Sequence, residues 1–150
     1  MTDSSPQALA ERVRRVMYEK DFAAQSLGIE VLAIGPNSAT LRMSVRDDML
    51  NGHRICHGGL IATLADSAFA YACNARNQLT VAAGFGIDLL APGQAGDVLT
   101  ATATEVSKTG RTGVYDVEVR NQTGKRIAVF RGRSYSIRDK AVVANDHPGH

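Results

Sequence analysis

The chain has 150 residues, of which 44% are hydrophobic and 21% are charged, and its formal net charge is +2. This length and composition predict one domain with a real core, and the weak, mixed charge argues against a broad nucleic-acid-binding surface. Two cysteines provide no disulfide framework, and the first residues lack a basic segment followed by an apolar stretch, so we expect a cytoplasmic protein.

The first predicted elements are one or two helices and a hairpin. Ser5-Pro6 is a typical helix start, and the apolar spacing after it predicts a helix to about Glu19, with a short turn or second helix beyond. Residues 29–35 and 39–46 look like strands, and the Gly-Pro-Asn sequence between them predicts a turn.

A central helix follows, and Asp66 is the only carboxylate between His57 and Ala75. Apolar residues recur around it at helical spacing: Leu60, Ile61, Leu64, Ala65, Ala68, Phe69 and Ala72. Because Ala62 and Ala70 lie one turn away on either side, we expect this helix to be buried nearly all round. A desolvated carboxylate without a paired cation costs several kcal/mol, which makes Asp66 a candidate catalytic group.

Two glycines, Gly58 and Gly59, precede the first apolar residues of this helix. Unpaired backbone N–H groups are expected there, since the first helical turn has no preceding carbonyls to bind. Glycine lets a ligand carbonyl approach closely, and the helix dipole favours the negative charge that develops when that carbonyl is attacked. The pattern therefore indicates acyl transfer.

The spacing of these groups predicts a dimer. Eight residues separate Gly58 from Asp66, so an unbroken helix holds their backbones about 12 Å apart at about 1.5 Å per residue. A reacting carbon about 3 Å from its donors and from the attacking group allows only about 6 Å. One substrate can touch both groups only if two chains supply them, so we infer central helices that run antiparallel across a two-fold axis.

Simpler interpretations stay open for these residues. Asp66 could be a structural acid that accepts a backbone hydrogen bond, and the glycines could serve only a loop. His53, Cys56 and His57 are too few for a closed zinc site, and neighbours such as Cys56 and His57 rarely face each other as a nucleophilic pair requires. We therefore expect no metal and no organic cofactor.

Four further extended segments follow the central helix, at 80–90, 97–107, 113–121 and 126–137. Tyr115, Val117 and Val119 alternate with charged neighbours, which predicts an antiparallel sheet with one buried and one solvated face. Few large apolar residues follow Arg138, so we predict one domain over 1–138 and a mobile tail over 139–150.

Two motifs, MLNGHRICHGG at 49–59 and LADSAFAYACN at 64–74, closely resemble the PaaI-type thioesterases of phenylacetate catabolism, members of the hotdog-fold acyl-CoA thioesterases. The sequences APG at 91–93 and TGVYD at 112–116 extend the resemblance. It implies an α+β hotdog fold, in which an antiparallel sheet of five to six strands wraps around a long central helix. It also implies a homodimer with shared active sites, commonly paired into a tetramer.

By this resemblance Asp66 is the catalytic carboxylate, and the backbone N–H of Gly58 polarises the thioester carbonyl. Asn51 would help to place the carbonyl or the attacking water, and His57 would shape the loop and the thioester pocket. Some relatives carry a serine on the strand after the central helix, where this chain has Ala82-Ala83, so water positioning would rest on Asn51 and Asp66. Whether Asp66 attacks directly or acts as a general base stays open.

The phosphates of CoA require cations, and the candidates lie at one hairpin turn and on the last strand: Lys108, Arg111, Arg131 and Arg133. Strand parity places Arg131 and Arg133 on one face, although each could be only a solvated charge. Gly59 offers the substrate a second backbone N–H at the helix start.

The sequence thus predicts an acyl-CoA thioesterase that hydrolyses aryl- or arylacetyl-CoA thioesters, such as phenylacetyl-CoA or hydroxyphenylacetyl-CoA, to the free acid and CoA. Leu50, Leu64, Ala68 and Phe85 are candidates for the acyl pocket, or else ordinary core residues. The alternative function is a non-catalytic acyl-CoA-binding module of the same fold, which would not need Asp66.

Overall fold

In the computed structural model, which describes residues 4–144, a six-stranded antiparallel sheet wraps around one long helix. The elements are α1 (Pro6–Lys20), α2 (Phe22–Ser26), β1 (Glu30–Gly35), β2 (Ser38–Ser44), a 3-10 turn (Asp47–Met49), α3 (Gly58–Asn74), β3 (Thr80–Leu89), β4 (Val98–Thr109), β5 (Thr112–Arg120) and β6 (Arg126–Ser136). The strand order is β1-β2-β4-β5-β6-β3, and all neighbours are antiparallel. The predicted α+β hotdog architecture is confirmed.

The two N-terminal helices begin at capping side chains. Ser5 Oγ accepts a hydrogen bond from the N–H of Ala8 at 3.1 Å, and the proline that follows Ser5 suits the first helical turn. The predicted end near Glu19 is one residue short, and Asp21 then caps α2. None of the helices in the described part of the chain is long and apolar enough to span a membrane.

The central helix α3 is unbroken over 17 residues and packs one side on the sheet. That side carries most of the predicted apolar stripe: Ile61, Leu64, Ala65, Ala68, Phe69 and Ala72. Phe69 lies against the backbone of Gly132, where a Cβ atom would be 2.6 Å from its ring. The ring of Tyr115 meets Phe69 edge-on at a centroid distance of 5.5 Å.

Residues 4–144 do not cover the opposite side of α3, so the predicted burial nearly all round is not reached within one chain. A single curved sheet can cover only the side of the helix that faces it. The uncovered residues are small or polar, and all are half-buried or exposed: Gly59, Ala62, Thr63, Asp66, Ser67 and Ala70. We call this set the open side of α3.

The two edges of the sheet differ. Side chains of α1 donate hydrogen bonds to carbonyls along the β1 edge, from Gln7 to Ile34 at 2.7 Å, Arg14 to Val31 at 3.2 Å and Tyr18 to Ile29 at 2.6 Å. No strand of the described chain pairs with the outer edge of β3. On β3 the apolar side chains of Val81, Phe85 and Leu89 are 44%, 49% and 52% exposed. The β1 edge is thus blocked, whereas the β3 edge is open and apolar.

The predicted C-terminal tail is attached to the domain over its first residues. The N–H of Leu79 donates to the carbonyl of Lys140 at 2.9 Å. The side chain of Asn77 makes two hydrogen bonds with the backbone of Val143, at 3.0 and 2.8 Å. Residues 145–150 of the tail lie outside the described residues, and their mobility stays a prediction.

Candidate active site

The loop before α3 is built around the side chain of Asn51. Its Oδ1 atom accepts hydrogen bonds from the backbone N–H groups of His53 at 2.9 Å and Ile55 at 3.4 Å. The N–H of Cys56 then donates to the carbonyl of Gly93 at 2.8 Å, which ties the loop to the segment after β3. Because Oδ1 is engaged within the loop, the predicted role of Asn51 toward substrate or water falls to its Nδ2 group.

His57 connects this loop to α3 through its backbone. Its N–H donates to the carbonyl of Met49 at 2.9 Å, and its carbonyl accepts from Leu60 at 3.0 Å and Ile61 at 3.3 Å. The imidazole is exposed and makes no capping hydrogen bond, so its role in a thioester pocket stays a prediction. Within residues 4–144 no three His, Cys, Asp or Glu side chains come together as a metal site.

The first turn of α3 presents the backbone N–H groups of Gly58 and Gly59, neither of which has an acceptor within residues 4–144. Gly59 is exposed, and the space that a Cβ atom would occupy there is open. At Gly58 a Cβ atom would lie 2.5 Å from Cδ1 of Leu89. A side chain at position 58 would therefore make the end of Leu89 shift, and the N–H of Gly58, without an acceptor in the described residues, is available to an oxyanion.

A pocket of about 380 Å³ opens at this helix start. Asn51 and Gly58 are on its wall, together with the mostly apolar residues Ile55, Cys56, Ile61, Leu89, Leu90, Ala91 and Pro92. Its size is at the lower end of the range of about 300–1,000 Å³ that small-molecule sites occupy. Its size and lining suit a small, largely apolar group.

The residues predicted to line the acyl pocket lie elsewhere. Leu64 and Ala68 are core residues with 0% exposure, and Leu50 packs against the same core. Phe85 stacks on Phe130 with ring centroids 4.9 Å apart. None of these residues lines this pocket, and for Leu50, Leu64 and Ala68 the structure agrees with the alternative interpretation as core, because apolar pattern alone does not distinguish a pocket wall from core. The two leucines that do line it, at positions 89 and 90, were missed for the same reason.

Asp66 lies on the open side of α3, half-buried, and has no hydrogen bond or ion pair with any of residues 4–144. Burial raises the pKa of its carboxyl group above the ordinary range, and the neighbouring carboxylate of Asp21 raises that pKa further. Asp21 itself accepts a hydrogen bond from the hydroxyl of Tyr71 at 3.1 Å. Within the described chain Asp66 therefore has no structural partner that would explain it as a structural acid.

Three of the four predicted phosphate-binding residues already have partners. Arg131 makes two hydrogen bonds with the carboxylate of Asp116, at 2.6 and 2.8 Å. Lys108 Nζ donates to Ser136 Oγ at 3.3 Å and to a turn carbonyl, and Arg111 contacts the hydroxyl of Tyr135 at 3.4 Å. None of the four lines the pocket at the start of α3.

Arg133 differs from Arg131, although both lie on the same face of β6. It pairs in register with Gly84 of β3, and a Cβ atom at that glycine would lie 2.6 Å from its guanidinium. No acidic side chain of residues 4–144 forms an ion pair with it. A groove of about 360 Å³ beside it includes residues with hydroxyl groups: Ser107, Thr109, Thr112, Ser134 and Tyr135.

An antiparallel sheet wrapped around one long helix, with an unpaired carboxylate on that helix and free N–H donors at its start, is the architecture of hotdog-fold thioester hydrolases. The thioesterase superfamily model matches residues 53–128. The acyl-coenzyme A thioesterase PaaI of Escherichia coli (strain K12) is 50% identical over 121 residues, which cover 81% of this chain and 86% of that protein.

Solved structures agree with this match. The PaaI protein from the phenylacetic acid degradation operon of E. coli superposes with a TM-score of 0.87 at 47% identity, covering 89% of this chain and 96% of that one. A mutant of the phenylacetic acid degradation protein PaaI from Thermus thermophilus gives a TM-score of 0.75 at 39% identity, covering 78% and 100%. The chain therefore belongs to the thioesterase superfamily, among the PaaI-type hotdog thioesterases, and is a thioester hydrolase.

Proposed function

We propose that the protein hydrolyses aryl- or arylacetyl-CoA thioesters, of which phenylacetyl-CoA or its ring-hydroxylated form is the first candidate, in phenylacetate catabolism in the cytoplasm. The observation that carries this proposal is that Asp66 is half-buried without a partner among residues 4–144, on a helix whose first residue, Gly58, lines a small and mostly apolar pocket. The relatives named for phenylacetic acid degradation support the substrate class, and two free, buried cysteines suit a reducing compartment.

In the proposed reaction the thioester carbonyl oxygen accepts a hydrogen bond from the N–H of Gly58. That N–H lies at the positive end of the α3 dipole, so it binds the carbonyl more tightly as negative charge develops on the oxygen. The acyl group lies in the apolar pocket, where little water competes for the donor.

Asp66 acts as the general base in this proposal. Its carboxylate takes a proton from water as the water oxygen bonds to the thioester carbon, which leaves an oxyanion on Gly58. The C–S bond then breaks, the carbonyl forms again, and the protonated Asp66 returns its proton to the leaving CoA thiolate. Direct attack by the carboxylate, through a mixed anhydride, needs the same ionised group in the same place.

We propose that each site combines Gly58 of one protomer with Asp66 of its partner. The helix between them is unbroken, so their backbones are about 12 Å apart within one chain, too far for one thioester carbonyl. Two antiparallel α3 helices that cross near Ala62 bring the two groups together, and the small residues of the open side allow close approach.

The edges of the sheet support the same dimer. Side chains of α1 bind carbonyls of the β1 edge, whereas the outer edge of β3 has no strand partner within residues 4–144 and carries half-exposed apolar side chains. An open edge of this kind is a site for strand pairing with a second chain. Pairing of β3 with β3 would form one continuous sheet and place the open sides of both α3 helices face to face. As in the family, we propose that two such dimers form a tetramer.

The raised pKa of Asp66 predicts the pH dependence of the reaction. The rate should fall as the pH drops through that pKa, since only the ionised carboxylate accepts a proton. Asp21→Asn removes the neighbouring negative charge and should move the acidic limb of kcat/KM to lower pH. Tyr71→Phe keeps that charge and is the control, in which the acidic limb of kcat/KM should not move to lower pH. An unmoved limb in Asp21→Asn would show that Asp21 does not act on Asp66.

Among the four basic residues, we propose that Arg133 contributes most to binding the CoA phosphates, because no carboxylate of the described residues pairs with it. Arg133→Gln should raise the KM for phenylacetyl-CoA about tenfold, the effect of one charge-assisted hydrogen bond. Arg131→Gln is the matched control on the same strand face, and its KM should change by less than about threefold, since Arg131 is already bound to Asp116. Neither should change the KM for phenylacetyl-pantetheine, which lacks the nucleotide. Equal effects of both variants would contradict this assignment.

The test of the function is release of free thiol from a panel of phenylacetyl-, hydroxyphenylacetyl-, benzoyl- and fatty acyl-CoA. We expect kcat/KM to be highest for the arylacetyl thioesters, because the pocket is small and apolar. Preference for a fatty acyl chain would contradict the proposed substrate class. Binding of all members without thiol release would favour the non-catalytic module.

A further inference from the structure

Leu89 ends β3 and lies directly against the start of α3. Its Cδ1 atom is 2.5 Å from the point that a Cβ atom of residue 58 would occupy, so the leucine fills the space beside Gly58. In the sheet Leu89 pairs with Ala128, which is fully buried. An apolar side chain thus lies next to the N–H group that we propose as the hydrogen-bond donor to the thioester carbonyl.

The backbone after Leu89 is bound to β6. The N–H groups of Leu90 and Ala91 both donate to the carbonyl of Ile127, at 2.8 and 3.2 Å. Leu89 is nevertheless 52% exposed, and it lines the pocket of about 380 Å³ at the helix start. One surface of the leucine therefore covers Gly58, and another borders the space available to a ligand.

We propose that Leu89 is a specificity-determining residue, which limits the size of the acyl group and holds the thioester carbonyl against the N–H of Gly58. This inference rests on the proposed function, because it takes the pocket as the acyl site. A fixed apolar wall discriminates between ligands by size, and one extra methylene in such a pocket changes kcat/KM by roughly 10- to 200-fold. The same wall keeps water from the Gly58 N–H, which strengthens its hydrogen bond to the oxyanion.

A different role for Leu89 would be dimer contact alone, since it lies on the open edge strand. Val81 offers the matched comparison: it lies on the same strand, is 44% exposed and does not line the pocket. If a residue only stabilises the dimer, its replacement by alanine should change kcat/KM by the same factor for every substrate. If it forms a wall of the pocket, the replacement should change the ratio of kcat/KM between a large and a small substrate.

The experiment compares wild type, Leu89→Ala and Val81→Ala, each confirmed as the same oligomer by light scattering. We measure kcat/KM for phenylacetyl-CoA and 1-naphthylacetyl-CoA. Leu89→Ala should raise the ratio of the naphthyl to the phenyl substrate about tenfold, by enlarging the pocket, while Val81→Ala leaves the ratio unchanged. An unchanged ratio in Leu89→Ala, or an equal change in both variants, would overturn the proposal.

Binding of inert analogues separates this inference from the proposed function. Phenacyl-CoA and naphthacyl-CoA are thioethers with a ketone carbonyl one carbon from the sulfur, so they bind without hydrolysis. Their Kd ratio should shift by the same factor in Leu89→Ala. If wild type hydrolyses no thioester yet the Kd ratio shifts, the enzyme proposal fails and Leu89 keeps its role. If wild type hydrolyses the panel and neither ratio shifts, the Leu89 proposal alone fails.

Discussion

Asp66→Asn is expected to lower kcat for phenylacetyl-CoA by about 10³-fold, which is the typical loss on removing a general base. The amide has the shape of the carboxylate but cannot take a proton from water at neutral pH. KM should change little, since Asp66 is assigned to the attack and not to holding the acyl group or CoA. Thiol release under single-turnover conditions measures the chemical step directly.

The stability of the same variant tests whether Asp66 has a structural role instead. The pKa of Asp66 is raised in the folded protein, so above that pKa folding is opposed by burial of its charge. Asp66→Asn should therefore unfold at a higher temperature than wild type at pH 7. This gain should disappear as the pH falls below the unfolded pKa of about 3.9, where Asp66 is protonated in both states. A less stable variant at pH 7 would identify Asp66 as a structural acid.

Two inactive variants should restore activity when they share a dimer. In a heterodimer of Asp66→Asn and Gly58→Pro, one site contains both changes and the other contains neither, if each site takes Gly58 and Asp66 from different chains. Gly58→Pro is expected to be inactive or nearly so, because proline suits the first helical position but removes the backbone N–H assigned to the oxyanion. Heterodimers should then show about half of wild-type activity, because one of their two sites is intact.

The measurement requires co-expression with two different tags and purification over both, under conditions where light scattering shows dimers and no tetramers, so that only heterodimers are assayed. Each homodimer, purified in the same way with two tags on the same variant, provides the background. Sites contained within one chain would each carry one defect, and the heterodimer would then be as inactive as the two parents. That result would contradict the proposal that two chains form each active site, but it would not affect the assignment as a thioesterase.

Much of the fold is predictable from local pattern. The helical spacing of apolar residues locates α3, the Ser5 cap locates α1, and the alternation around Val117 locates β5, each to within a few residues. These signals are local, because helix caps and side-chain periodicity involve residues that are close in the chain. The resemblance of residues 49–74 to the PaaI-type thioesterases likewise depends only on consecutive residues.

The composition of the candidate site was predictable only in part. Asp66 is recognisable as a lone carboxylate in an apolar helix, and its lack of a partner in the described chain agrees with that pattern. The engagement of Asn51 Oδ1 within its own loop, by contrast, follows from backbone hydrogen bonds that no motif displays. The side of α3 left open by the sheet was also not predictable, since its small residues have the same apolar pattern as a buried face.

The sequence by itself therefore determined the fold class, the family and the candidate catalytic carboxylate. Only the tertiary structure decided that Leu89 lies against Gly58 and that Asp116 binds Arg131, while no carboxylate of residues 4–144 pairs with Arg133 and no strand among them pairs with the outer edge of β3. The physical reason is sequence separation: these contacts join residues that are distant in the chain. Strand order and register bring them together, and neither is encoded in the periodicity of any one segment.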